Sequence, residues 1–265
     1  MGELLLAEPS RVLGRADLDA LGRFPLMVKI LDAAQNLSLQ LHPSRLAGVE
    51  RGFGDQGKDE VWVVLDAQPG AEVMIGLGDG VSPQGFFEAL ERGEDPSSLL
   101  RRLQAKPGDV FIIPAGTVHS LGSGLLIYEL QENSDLTFRV HDWGRLGLDG
   151  KPRKLHLQEA RETPLSDLAD PRVVPRDLGE GLSLLVETEG FRLFRWELPD
   201  AVDLWTEGAF VILSVIQGGV EVLGDQGRLN LGEGETGLIP GGTQKVHLNP
   251  RGTCTILLSR PGASS

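Results

Sequence analysis

The sequence predicts an all-β protein with small helical inserts, arranged as two similar β-barrels in tandem. Short runs rich in Val, Ile and Leu, punctuated by Gly and Pro, dominate from Leu37 onward at the spacing of a sandwich or barrel. The segment Gly108-Asp109-Val110-Phe111-Ile112-Ile113-Pro114-Ala115-Gly116-Thr117 returns later as Gly234-Glu235-Thr236-Gly237-Leu238-Ile239-Pro240-Gly241-Gly242-Thr243, with Gly, Pro, Gly and Thr in register. Helical periodicity is confined to a few short stretches.

In chain order, a short helix is expected near Asp17 to Arg23, stopped by Pro25. The strand Leu37 to His42 follows, and Glu60 opens the strand Val61 to Leu65. A pair of helices is expected over Pro83 to Gln104, where Phe86, Phe87 and Leu90, then Leu99, Leu100 and Leu103, recur at helical spacing. Each copy of the repeat reads as a tight turn, an apolar strand and a Pro-Gly reversal. Val64 to Gly70 and Val215 to Gly219 look like one strand and turn in two copies. Strands Leu125 to Gln131 and Leu136 to His141 complete the first barrel. The polar stretch Gln158 to Glu180, with Pro164, Pro171 and Pro175, is the natural connector. Residues 1–157 would then form the first barrel with its helical inserts, 158–180 the connector and 181–265 the second barrel.

Composition narrows the function. With 265 residues, 40% of them hydrophobic and 24% charged, the chain is globular and has room for a real core. Its formal net charge of −13 repels a phosphate backbone, so no nucleic-acid partner is expected. No apolar run is long enough to span a bilayer and Met1-Gly2-Glu3 lacks a cationic signal-peptide start, so no membrane partner and a cytoplasmic location are expected. The single Cys254 excludes an intramolecular disulfide and a multi-thiolate metal site, and it reads as a small buried hydrophobe on a strand.

Strand alternation sorts the polar residues. Ser38, Gln40 and His42 share one face and Leu37, Leu39 and Leu41 the other. Ile127, Glu129 and Gln131 share a face in the next strand, as do Thr137, Arg139 and His141 in the one after. A half-exposed sheet surface would give the same alternation once; its recurrence argues for a polar interior. Glu60 at a strand start and His119 after the Pro-Gly turn add a carboxylate and a second imidazole. An amide oxygen, a carboxylate and two imidazoles suit one divalent first-row ion, zinc most readily, with a position left for water or substrate. In the second copy Lys245 matches His119, so the second barrel is expected to hold no metal.

These motifs resemble the type I phosphomannose isomerases, in their short bacterial form. The matching segments are Phe24-Pro25-Leu26 through Lys29-Ile30-Leu31-Asp32, Leu37-Ser38-Leu39-Gln40-Leu41-His42-Pro43, Gly57-Lys58-Asp59-Glu60-Val61-Trp62, Pro114 to Gly122, Glu129-Leu130-Gln131 into Ser134-Asp135 and Phe138-Arg139, and Gly150 to His156. The resemblance covers residues 20–160 in order and rests over 181–265 on a degenerate second barrel. It implies a tandem cupin, a bicupin of jelly-roll barrels. It further implies Gln40, His42, Glu60 and His119 as metal ligands, Arg139 as an active-site arginine, Lys29, Lys58 and Ser38 around the sugar phosphate, and Glu129 as an acid near the metal. Members of the family carry a longer N-terminal stretch with a Trp-Gly-Gly signature, which this sequence lacks.

The implied reaction converts mannose 6-phosphate and fructose 6-phosphate into one another through an enediolate. Arg139, Glu129 and Lys58 are its candidate catalytic groups, with Glu129 the first choice for proton transfer and Lys58 its rival. The alternatives are another cupin metalloenzyme, either a different sugar isomerase or an iron oxygenase, and a non-catalytic sugar-phosphate-binding cupin. Structural alternatives stand beside each residue: a surface charge opposite Asp135 or Asp142 for Arg139, a solvated strand end for Lys29, a charged loop for Lys58. His141 and His156 are expected to be structural or surface residues.

Overall fold

The computed structural model describes residues 2–147, 149–225 and 227–262. The chain divides into two compact units, Met27–Val173 and Met1–Leu26 with Val174–Ser265.

The strands of the first unit are β1 (Leu26–Ala33), β2 (Leu39–Leu41), β3 (Glu60–Ala67), β4 (Glu72–Leu77), β5 (Leu100–Gln104), β6 (Val110–Ile113), β7 (His119–Leu121), β8 (Leu125–Glu132) and β9 (Phe138–His141). They form a 4-stranded sheet in the order β1-β8-β3-β6 and a 5-stranded sheet in the order β5-β4-β7-β2-β9. Trp62, Val64, Phe111, Ile113, Leu121, Leu125 and Ile127 build the apolar part of the interior. The helix Pro83–Glu91 opens on Ser82, whose hydroxyl accepts the Gly85 amide, and it buries Phe86, Phe87, Ala89 and Leu90. Leu39 and Leu41 belong to the same apolar cluster as these helical residues. The apolar face of β2 is therefore taken up by the helical insert. That leaves Gln40 and His42 on the opposite face, and both stand among the polar groups of the interior.

The second unit holds β10 (Arg176–Gly179), β11 (Leu182–Glu187), β12 (Phe191–Leu198), β13 (Val202–Trp205), β14 (Val211–Gln217), β15 (Gly219–Gly224), β16 (Gly227–Gly232), β17 (Thr236–Ile239), β18 (Lys245–Pro250) and β19 (Cys254–Pro261). Its sheets run β10-β11-β12-β19-β14-β17 and β13-β18-β15-β16 around an apolar cluster that includes Trp196, Leu213, Leu248 and Ile256. Cys254 is buried in that cluster, and burial pushes its thiol up.

The leading turn of the repeat is reproduced bond for bond. Gly108 and Gly234 both take positive φ, 89° and 81°. Their amides donate to Val64 O and Val215 O, each at 2.9 Å, while Asp109 O and Glu235 O accept the amides of Val64 and Val215. Thr117 and Thr243 close the Pro-Gly reversals onto Pro114 O and Pro240 O. Glu60 pairs with Ile113 and Val211 with Ile239, so β3 and β14 correspond residue for residue.

Several expectations are corrected. Asp17 to Arg23 is not a helix. The Asp19 carboxylate accepts the amides of Leu21 (2.9 Å) and Arg23 (2.7 Å) and the Arg23 guanidinium, a local turn that competes with helix formation. The helical insert stops at Glu91, and after a short 3-10 turn at Pro96–Leu99 the chain becomes β5, pairing with β4. Gly93, at φ 74°, turns the chain there, and the leucine spacing that suggested a second helix serves an edge strand. The boundaries differ too. The segment Pro171 to Val173 continues the first unit, with Pro171 O accepting Ile112 N (2.9 Å) and Val173 N donating to Val110 O (2.9 Å). At the N-terminus, Gly241 and Gly242 donate to Val12 O and Arg11 O. The start of the chain thus serves the second barrel as His42 O, which accepts Gly116 N, serves the first.

Candidate metal centre

The strand faces expected from alternation converge inside the first unit. Gln40 pairs with His119 across β2 and β7, while Glu60 pairs with Gln131 across β3 and β8. Nε2 of His42 lies 3.3 Å from Glu60 Oε1, and Nε2 of His119 lies 3.5 Å from Glu60 Oε2. One ligand atom from each of the three lies within 4.8 Å of the others, the one such group of three among the described residues. Each imidazole is turned by its other nitrogen: His42 Nδ1 is 2.9 Å from Leu136 O and His119 Nδ1 is 2.8 Å from Thr117 O. Backbone carbonyls can only accept, so both Nδ1 atoms carry the proton and both Nε2 lone pairs face the centre.

These groups fit a divalent ion. His42 Nε2 and Glu60 Oε2 are fully buried without a hydrogen bond, a costly state for polar atoms unless a cation takes their lone pairs. Gln40 stands beside them, its Nε2 at 3.3 Å from His119 Nε2 and its Oε1 accepting the Ser38 hydroxyl at 3.1 Å; a half-turn of the amide presents Oε1 to the centre instead.

Burial alone would raise the Glu60 carboxyl, yet the adjacent His42 imidazole and then the Lys58 ammonium outweigh it and hold the group well below the usual carboxylate range. Burial and the adjacent His42 push His119 down from 6.5 to about 4. The Nε2 lone pair of His119 is thus available near neutrality, as metal binding requires. A stability prediction follows for metal-free protein. Between pH 6.5 and 4 the unfolded chain protonates His119 and the fold does not, and at lower pH Glu60 adds a loss of the same sign. Melting temperatures of metal-stripped protein should therefore fall as pH drops through that window, and less so in His119→Gln. Stability that is flat or rising on acidification would contradict this.

Lys58, Lys29 and Glu129 surround the cluster. The buried Lys58 ammonium contacts Glu60 (3.0 Å), Gln131 Oε1 (3.1 Å) and Ser134 O (3.1 Å). Lys29, nearer solvent, donates to Glu129 Oε1 (2.9 Å) and Gln131 Oε1 (2.6 Å). Trp62 Nε1 donates to Glu129 Oε2 at 2.9 Å. Burial and then the Glu60 charge raise the Glu129 carboxyl above its usual range, against the pull of Lys29. A cavity of about 230 Å³ opens among Lys29, Ser38, Gln40, Lys58, Glu60 and Glu129. Asp135 and Thr137 also line it.

Two expected site residues, His42 and Arg139, do not line this cavity; His42 still reaches Glu60 within the cluster, whereas Arg139 lies outside it. Arg139 pairs with Gln40 across β2 and β9 and so shares its face, but its guanidinium donates to Lys154 O at 3.1 Å and its Nε is buried without a partner. His156 Nδ1 accepts the Arg139 amide, and His141 stacks edge-on against Trp143, so neither joins the metal cluster. Sequence reasoning assigned no role to Gln131 or Trp62. The alternation that placed Gln131 on the face of Glu129 was its available signal; for Trp62 the indole bond depends on a cross-strand register that sequence does not display.

Two sheets that turn two imidazoles and a carboxylate toward one point define an all-β protein with a candidate metal centre. The family model described as mannose-6-phosphate isomerase, cupin domain, matches residues 182–261, the half in which the motifs were weakest. Mannose-6-phosphate isomerase ManA of Bacillus subtilis is 35% identical over 237 residues, 88% of this chain and 75% of the relative. The mannose-6-phosphate isomerase of Streptococcus mutans is 34% identical over 79% of this chain and 64% of its own length. The crystal structure of the mannose 6-phosphate isomerase from Bacillus subtilis superposes with a TM-score of 0.86 at 30% identity, covering 97% of this chain and 80% of that one. The chain belongs to the mannose-6-phosphate isomerase family.

Proposed function

We propose that the protein is a metal-dependent aldose-ketose isomerase that interconverts mannose 6-phosphate and fructose 6-phosphate through an enediolate. The observation that carries this is the His42–Glu60–His119 cluster, with its unbonded inward atoms, on a cavity that also exposes Lys29, Lys58 and Glu129. Gln40, His42, Glu60 and His119 would hold one divalent ion, zinc most readily. When bound, the ion supplies Lewis-acid stabilisation of the negative charge that develops on the sugar oxygens.

The remaining work falls to the chain. Lys29, with part of its side chain open to solvent, and Ser38 anchor the phosphate. Glu129 takes the proton from carbon 2 and returns it to carbon 1. Lys29 and Trp62 aim its two oxygens, and its raised proton affinity suits a shuttle working near neutrality. Lys58 is the weaker candidate for that task, because its ammonium is already engaged with Glu60, Gln131 and Ser134. It serves instead as a fixed positive charge beside the developing oxyanion. Arg139 adds a guanidinium fork from the neighbouring strand once its Nε finds the substrate.

We further assign the scaffold as a bicupin, on the bond-for-bond repeat of the turn motif in both units. The location is assigned to the cytoplasm, where charged sugar phosphates are retained; among the described residues no helix is long and apolar enough to cross a membrane. The test is turnover of mannose 6-phosphate by metal-stripped protein before and after adding zinc. The reading predicts fructose 6-phosphate formation that depends on the metal. No turnover after reloading, or oxygen consumption in its place, would overturn it.

A further inference from the structure

The second barrel carries a cluster of arginines where the first carries its candidate metal centre. Val211 occupies the place of Glu60, as the shared β3 and β14 register shows, and Lys245 opens β18 as His119 opens β7. Continuing the pairing Ile212↔Ser259 by one residue sets Arg260 opposite Val211, as Gln131 is opposite Glu60. Phe194 and Trp196 on β12 and Ile256 and Leu258 on β19 pack in the apolar interior. By the same alternation Arg192 and Arg260 face inward at the end of that barrel.

The cluster is built against an electrostatic penalty. Arg192 and Arg260 are direct cross-strand partners, a like-charge pair that destabilises a sheet. A third guanidinium comes from Arg15, whose amide donates to Gly208 O at 2.7 Å. One carboxylate, Glu207 at φ 59°, serves all three, at 3.3 Å from Arg260, 3.8 Å from Arg192 and 4.0 Å from Arg15. Glu187, the backbone partner of Arg192 on β11, is exposed.

The three arginines differ in what they spend. Arg260, with 10% of its side chain exposed, donates to Trp205 O (2.6 Å) and Thr206 O (3.4 Å), which fixes the loop that carries Glu207. Arg192 donates a long Nε bond to Pro261 O at 3.5 Å. Arg15 and Glu207 keep 57% and 53% exposure, so the cluster opens to solvent. Three fixed positive charges against one carboxylate leave a local surplus in a chain whose net charge is −13. Guanidinium forks match the oxygens of a tetrahedral oxyanion, and a dianion would relieve the Arg192–Arg260 repulsion.

We propose that Arg15, Arg192 and Arg260 form an anion site at the end of the second barrel that takes a phosphate group, free or carried on a small sugar. The site is separate from the isomerase centre and stands whether or not that centre turns over.

The test is calorimetric titration of the full-length, metal-loaded protein with inorganic phosphate and, separately, with glucose 6-phosphate. It is run in a Lys29→Gln background, which removes the candidate phosphate anchor of the first barrel. Binding of both ligands assigns the site to the phosphate group; binding of the ester alone assigns it to a sugar phosphate. Adding Arg15→Gln and Arg192→Gln together should weaken binding at least about tenfold, as loss of two charge-assisted forks requires. Arg15→Gln alone, at an exposed side chain that leaves the fold intact, should weaken it by a smaller factor. In otherwise unaltered protein the double substitution should leave saturated turnover within about twofold. Absence of binding of either ligand in the Lys29→Gln protein, or affinity unchanged by Arg15→Gln and by the double substitution, would overturn the proposal.

Discussion

His119→Ala protein should bind no stoichiometric metal and should lose isomerase activity by on the order of 10³-fold or more. The size of the effect follows from where His119 sits. Its Nε2 faces Glu60 Oε2 and Gln40, its Nδ1 is committed to Thr117 O, and its ring is packed edge-on against Trp62. Losing one of three closely spaced strong donors leaves His42 and Glu60, and the Glu60 carboxylate then falls back on Lys58. Metal analysis and turnover must fall together. Full activity with an empty site, or full metal with His119 gone, would show that the ligands lie elsewhere.

Glu129→Gln should show the second largest loss, about 10² to 10⁴ in kcat, the usual contribution of a positioned general base. The substitution preserves shape and leaves Lys29, Lys58 and the metal ligands in place, so metal content and the KM for mannose 6-phosphate should change little. That split separates a proton-transfer role from a packing role, because loosening the cavity would raise KM and reduce metal occupancy as well. Steady-state kinetics with metal analysis on the same sample checks it. Retention of kcat within about threefold would move the base elsewhere, with Lys58 next to be tested.

Much of this site was legible in the sequence, because period-2 alternation is a reliable statement about faces. Ser38, Gln40 and His42 on one side of a strand, and Glu129 with Gln131 on one side of another, do meet in the interior. Alternation within one strand left open which side faced in, and only its recurrence across strands argued for the polar side. For β2 the apolar side belongs to the helical insert, through Leu39 and Leu41 against Phe86 and Phe87, so the polar side is the inner one. The repeat was also legible in its leading glycines, Gly108 and Gly234, which both turn with positive φ, whereas Gly116 takes positive φ and its counterpart Gly242 does not.

The misread parts have a common cause: local pattern overruled by side-chain chemistry or by distant pairing. Asp19 captures two amides and diverts a helix-like stretch into a turn. Leu100 and Leu103 sit at helical spacing but pair with Leu77 and Val73. The segment around Arg11 and Val12 completes the second barrel from the far end of the chain, a contact no local window contains. The arginines of that barrel were equally hidden, since Arg15, Arg192 and Arg260 meet only through the cross-strand register and the Glu207 loop.

Gln40, His42, Glu60 and His119 are expected to grip a single divalent ion inside the first unit. Anomalous diffraction from zinc-loaded crystals, recorded on both sides of the zinc edge, tests this most directly. One strong peak per chain is expected among these four side chains, with imidazole and carboxylate atoms about 2.0–2.2 Å away. A peak bound by other residues, or no peak there at full zinc loading, would contradict that assignment.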